Sequence, residues 1–132
     1  MYIREVWLGT WLGAPVAIKT VLSHMAKNSE FLNRFMIEIK LMASLHHPNI
    51  VMFLGACIRP TSHMMLVLEY CAFGSLHDFM ENTRKLSDPE NTLTVHRALR
   101  FGVDVARAVN FIHQKCNLIQ RDLKCRYVLV AI

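Results

Sequence analysis

Asp122 and Lys124, in the string Arg121-Asp122-Leu123-Lys124, are the residues of this chain best placed to do chemistry. They crowd a short polar stretch between apolar elements. A carboxylate there can take a proton from a hydroxyl, and an ammonium two residues on can steady an anionic group. The plainer alternative is a solvated turn. A second pair of charges lies upstream. Lys19 closes Val16-Ala17-Ile18-Lys19, and Glu38 follows nineteen residues later. Glu38 falls in line with Phe31, Phe35, Met42 and Leu45, which recur at helical spacing. A carboxylate inside an apolar stripe costs on the order of several kcal/mol unless it is paired. Lys19 is the candidate partner; the alternative is that Glu38 sits at the edge of the seam and reaches water. A strand lysine alone is more often a solvated edge residue. The glutamate in a helical seam downstream is what makes Lys19 a candidate.

The elements that must position these residues follow from pattern. Val16 to Val21 reads as a strand after a turn at Gly13-Ala14-Pro15, and alternation puts Ala17, Lys19 and Val21 on one face. Asn28 or Ser29 can cap a helix from about Glu30 to Leu45, which His46-His47-Pro48-Asn49 ends. Ile50 to Cys57 and Met64 to Tyr70 read as two more strands. Gly74-Ser75 opens a short helix through Met80, and Glu81 to Asn91 reads as a polar loop. Thr94 to His113 is a long helix, and Val128-Leu129-Val130 begins another strand. The long helix is apolar nearly all round, through Val95, Leu99, Phe101, Val103, Val105, Val109, Phe111 and Ile112. Such a helix belongs at the centre of a domain. Its uncovered side is expected to mark a truncated chain and to favour aggregation or chaperone dependence.

Composition narrows the function classes. The chain has 132 residues, 53% of them hydrophobic, and a net charge of +5. That size fits one compact domain, and the apolar fraction argues against disorder. No run reaches the ~18 apolar residues of a spanning helix, and Arg4 and Glu5 break the first apolar stretch, so neither a membrane span nor a secretory signal is expected. The basic residues are scattered, which disfavours nucleic acid as a partner. Cys57, Cys71, Cys116 and Cys125 form no metal-type pair, and the seven histidines show no metal spacing. Reduced thiols in a cytoplasmic protein are expected.

With these residues in view, the chain resembles a eukaryotic protein kinase catalytic domain of the tyrosine-kinase-like group, which includes Raf-like and mixed-lineage kinases. The matching residues are Val16-Ala17-Ile18-Lys19; Glu38; His47-Pro48-Asn49-Ile50-Val51 through Phe53-Leu54-Gly55-Ala56-Cys57; Leu68-Glu69-Tyr70 with Gly74-Ser75-Leu76; and Arg121-Asp122-Leu123-Lys124. The resemblance covers nearly the whole chain. It implies an α+β fold, with an antiparallel-sheet small lobe carrying one helix over residues 1–70. Residues 71–132 would supply the hinge, the first helices of a truncated large lobe and the catalytic loop. It also implies transfer of the ATP γ-phosphate to protein hydroxyls, Ser/Thr or dual-specificity, with Mg2+ as the family's metal and protein substrates or other kinases as partners. Lys19 would hold the α- and β-phosphates and pair with Glu38. Val6 and Ala17 would roof the adenine and Leu129 would floor it. Leu68 would be the gatekeeper, and Glu69 and Cys71 would offer backbone groups to the adenine edge. Asp122 would be the base and Lys124 would steady the transferring phosphate. Met42, Phe53 and Gln120 would fall in the stack that couples helix position to activity.

The departures from the family pattern carry equal information. Gln120 stands where the family has His, and Tyr127 where it has the Asn that holds a magnesium ion. The Gly-rich loop lacks its glycines, with Met1 and Arg4 in two of their places. Close cradling of phosphate needs glycine there. The later metal-binding Asp-Phe-Gly segment is not in this sequence. The expectation is therefore a chain without metal ligands that does not transfer phosphate; the alternative is a pseudokinase-like module that binds nucleotide or a partner kinase without catalysis.

Overall fold

A computed structural model describes residues 3–21, 28–59, 63–86, 93–119 and 121–131. Among the described residues the fold is α+β, with four antiparallel strands and three helices. The strands are β1 (Ile3–Trp11), β2 (Ala14–Val21), β3 (Phe53–Cys57) and β4 (Met65–Glu69), in the sheet order β1-β2-β4-β3. The helices are α1 (Ser29–Ser44), α2 (Leu76–Leu86) and α3 (Val95–Cys116), and a 3₁₀ turn spans Cys125–Tyr127. The chain divides into two compact units. One comprises Met1–His46 with Ile50–Tyr70, the other His47–Asn49 with Cys71–Ile132.

In the sheet unit, β1 is a strand that the sequence pattern did not announce, and its hairpin to β2 explains the turn. Trp11 pairs with Ala14, so the loop is Leu12-Gly13 and not Gly13-Ala14-Pro15. Both loop residues have positive φ, 50° at Leu12 and 83° at Gly13. That is the two-residue turn whose twist matches the strands. Glycine adopts it freely, but leucine pays for its Cβ. Leu12 is 86% exposed, so its side chain contributes little packing in return. Replacing Leu12 by Asn should therefore raise the unfolding free energy by about 1 kcal/mol, read from urea denaturation.

Directly opposed residues of paired strands share a face. The pairings Ala17↔Leu68, Lys19↔Leu66 and Phe53↔Leu68 put these residues on one face of the sheet, with Val6 opposite Lys19 and Leu8 opposite Ala17. Helix α1 covers part of that face. Its start is fixed by Asn28, whose side-chain oxygen accepts from the backbone N–H of Glu30 and Phe31 at 2.9 and 3.1 Å. Phe31 and Phe35 stack at 5.7 Å and close a core with Val21, Met64 and Leu66; Leu32, Ile39, Met42 and Phe53 pack around it. The buried stripe of α1 thus runs through Phe35. Glu38 lies ~60° round the helix from it and is exposed.

In the helical unit, α2 opens on a reciprocal cap. The Ser75 hydroxyl donates to Asp78 Oδ2 at 2.5 Å, and the Asp78 backbone N–H donates back to Ser75 Oγ at 3.1 Å. The Ser75 hydroxyl holds the Asp78 carboxyl below its ordinary 3.8, and the positive charges of His77 and Arg126 add to the effect. The helix runs on to Leu86 and takes in Glu81 onward, which the polar composition had assigned to a loop. Its inner side buries Phe79, and Arg84 and Glu81 form a loose outer ion pair at 3.8 Å. The polar residues are one face of an amphipathic helix. Helix α3 is capped by Thr94, whose Oγ1 accepts from Arg97 N–H at 3.2 Å, and ends on Asn117 in the left-handed region. Phe79 meets Phe73 and Phe101 edge-on at 6.1 and 6.2 Å, and His47 lies against Phe111 at 5.0 Å. No residue of α3 is fully buried; Val95, Leu99 and Val103 form an exposed apolar stripe. The segment Val128–Val130 is not a strand of the sheet. It makes one bridge, Ser75↔Leu129, with Leu76 N–H donating to Val128 O at 2.7 Å and Val130 N–H to Gly74 O at 2.9 Å.

Candidate functional site

The candidate residues fall in both units. In the sheet unit, the register places Val6, Ala17, Lys19 and Leu68 on one face. Leu68 is buried, Ala17 and Lys19 are half-buried, and Val6 is 61% exposed. The face is therefore an apolar surface open on the β1 side, with one ammonium in it. Leu8 belongs to the same face, directly opposite Ala17, and sequence reasoning missed it. The signal was available in its position two residues after Val6.

Lys19 has no ion-pair partner among the described residues, and no contact joins it to Glu38. Of the two sequence readings of Glu38, the geometry matches the one at the edge of the seam, facing water. Glu69 instead anchors the edge of the sheet. Its carboxylate Oε2 accepts from Met52 N–H at 3.0 Å, and its own N–H donates to Met52 O at 2.9 Å. Met42 and Phe53 pack beside the α1 core. Met1 and Gln120 lie outside the described residues, and the side chain of Arg4 is likewise not described.

In the helical unit, the carbonyl of Cys71 accepts from Gly74 N–H at 3.1 Å, where a φ of 66° at Gly74 turns the chain toward the Ser75 cap. Leu129, part exposed, holds its backbone against Ser75. Asp122 and Lys124 are brought together, with Lys124 Nζ 2.9 Å from Asp122 Oδ2. The same ammonium stands 4.5 Å from the centroid of the Tyr127 ring. The hydrogen bond to Asp122 holds the Lys124 ammonium above the usual 10.5, with Tyr127 adding to it. The 3₁₀ turn sets this geometry, because the Tyr127 backbone N–H donates to the Lys124 carbonyl at 2.9 Å.

Magnesium does not fit the residues present. Among the described residues, no three His, Cys, Asp or Glu side chains come together as a metal site. Tyr127 presents a ring face where an amide oxygen would be needed. A lysine without an ion-pair partner among the described residues, beside apolar side chains, can meet both a phosphate and a flat ring. Among the described residues, no helix is long and apolar enough to cross a membrane.

The sequence profile of the family described as protein tyrosine and serine/threonine kinase matches residues 3–132. The chain is 39% identical over 128 residues to the probable serine/threonine-protein kinase SIS8 of Arabidopsis thaliana, covering 96% of this chain and 12% of that protein. It is 35% identical to the serine/threonine-protein kinase VIK of the same plant, over 96% of this chain and 27% of VIK. It is 38% identical to the probable serine/threonine-protein kinase drkC of Dictyostelium discoideum, over 96% of this chain and 16% of drkC. The chain thus spans between 12% and 27% of the length of these relatives. Members of such a family use ATP and Mg2+ to phosphorylate protein hydroxyl groups. With a profile match over almost its entire length and the ordered motifs on the predicted sheet, helix and loop, the chain belongs to the protein tyrosine and serine/threonine kinase family.

Proposed function

We propose that this kinase-family chain holds ATP on the open face of its sheet and does not itself transfer the γ-phosphate. Val6, Leu8, Ala17 and Leu68 would contact the base, and Lys19 the phosphates. Glu69, in the same unit, would offer a backbone group to the base by resemblance, and Glu38 takes no part in fixing Lys19. The observation that carries this reading is the strand register, which groups Val6, Ala17, Lys19 and Leu68 on one face. In the full protein the domain would act in phosphoryl transfer to serine or threonine hydroxyls of protein substrates, as the relatives' names say of those proteins. Asp122 is the base in that scheme. Its pairing with Lys124 and the tyrosine at position 127 favour the pseudokinase-like form for the chain studied here: binding of nucleotide or of a partner kinase without turnover. Cys57, Cys116 and Cys125 are free thiols, which supports a cytoplasmic setting.

The test is incorporation of labelled phosphate from ATP, with Mg2+, into a generic basic protein substrate. The expected result is label at the level given by Asp122→Asn. Label above that level that the Asp122→Asn substitution abolishes would show turnover and refute the proposal.

A further inference from the structure

Asp122, Lys124 and Tyr127 form a closed set within six residues of chain, and the family reading gives a role to only two of them. The ammonium of Lys124 has two neighbours: Asp122 Oδ2 at 2.9 Å on one side and the Tyr127 ring at 4.5 Å on the other. The ring is fixed by backbone, since the 3₁₀ turn that carries it starts from the Lys124 carbonyl. All three side chains are substantially exposed: Asp122 64%, Lys124 46% and Tyr127 47%. An exposed ion pair between two flexible side chains is weak, because water competes for both charges and each loses rotamer freedom. A ring face on the far side of the cation changes this. It attracts the ammonium through its quadrupole and confines the lysine to the rotamers that reach Asp122.

We propose that Tyr127 is a positioning residue that holds Lys124 on Asp122, so that the loop keeps a cation of its own on that carboxylate. The ring face confines the ammonium, and the Tyr127 hydroxyl adds a smaller hydrogen-bonding contribution to its hold. The consequence for the loop is that Asp122 Oδ2 is engaged in the resting chain, which leaves Oδ1 as the oxygen that can take a proton from a hydroxyl substrate. That consequence rests on the kinase-family reading of Asp122. The clamp itself does not, and it is measured without any transfer reaction.

The experiment is trace acetylation of the 132-residue chain with acetic anhydride at neutral pH, with each lysine quantified by mass spectrometry. The exposed Lys40, on the outer side of α1, is the internal reference. Acetylation needs the neutral amine, so a clamped ammonium reacts slowly. Tyr127→Ala should raise the Lys124-to-Lys40 ratio about two- to fivefold, the factor a cation–ring contact is worth at an exposed site. Tyr127→Phe, which keeps the ring and loses only the hydroxyl, should raise it by less than Tyr127→Ala does. If Tyr127→Ala loses cooperative melting, Tyr127→Leu takes its place with the same expectation, since leucine fills the space without a π face. A ratio unchanged in the chain lacking the ring, or raised equally by Tyr127→Phe, overturns the proposal. Neither result depends on whether the chain binds ATP.

Discussion

Phe35→Ala should lower the stability of the sheet unit by about 3–5 kcal/mol, the usual range for removing a buried phenylalanine. Phe35 is 5% exposed and stacked on Phe31 at an interplanar angle of 17°. The pair is the main connection of α1 to Val21, Met64 and Leu66. Losing the ring removes its buried area, leaves a cavity between helix and sheet, and forfeits an aromatic contact worth about 0.5–1.5 kcal/mol beyond area. Domains of this size have about 5–15 kcal/mol in all, so the variant should sit near its unfolding threshold. Urea titration followed by far-ultraviolet circular dichroism measures the change. A loss under about 1 kcal/mol, where surface substitutions fall, would mean that α1 is not docked through this face.

Lys19→Ala should weaken ATP binding about 10- to 100-fold. A lysine–phosphate contact is charge-assisted and worth about 1.5–3 kcal/mol, and each 1.4 kcal/mol is a factor of ten. The effect should be this large because the ammonium has no internal partner among the described residues to which it is already committed. The matched control is Glu38→Ala. An exposed carboxylate that does not touch Lys19 should change affinity by no more than about twofold. If Glu38→Ala weakened binding as much as Lys19→Ala, the two residues would act as a pair in the nucleotide-bound chain. The open arrangement would then not be the binding form.

Particular residues explain what could be read from sequence and what could not. Strand β2, the start of α1 at an Asn28 or Ser29 cap, and the long helix from Thr94 were legible because side-chain type and period agreed there. The segment Ile3–Trp11 was not read as a strand, because it carries large apolar residues on both faces, Val6 and Leu8 on one and Trp7 and Trp11 on the other, and so lacks the contrast that marks a half-buried strand. Leu12 hid the hairpin by occupying a left-handed position where Asn or Gly is the usual signal. The last turns of α2 were taken for a loop on polarity alone, although polar residues are what the outer face of a helix requires. Glu38 shows the limit of spacing arguments. It lies in register with Phe31 two turns earlier, but the packed side of α1 continues through Ile39 and Met42 and leaves Glu38 exposed, and no periodicity reports which edge of a seam a partner surface covers. At the loop, the order Arg121-Asp122-Leu123-Lys124 pointed to the chemistry. The ring of Tyr127 over Lys124 needed coordinates, because it depends on a 3₁₀ turn that no local motif announces.

The most direct measurement is calorimetric titration of ATP into the 132-residue chain, with magnesium and with a chelator present. The account predicts saturable binding at one site in both conditions, with affinities equal within about twofold after correction for the magnesium–ATP equilibrium, since among the described residues no three His, Cys, Asp or Glu side chains come together as a metal site. Absence of saturable heat in either condition, or binding that appears only when magnesium is added, would contradict it.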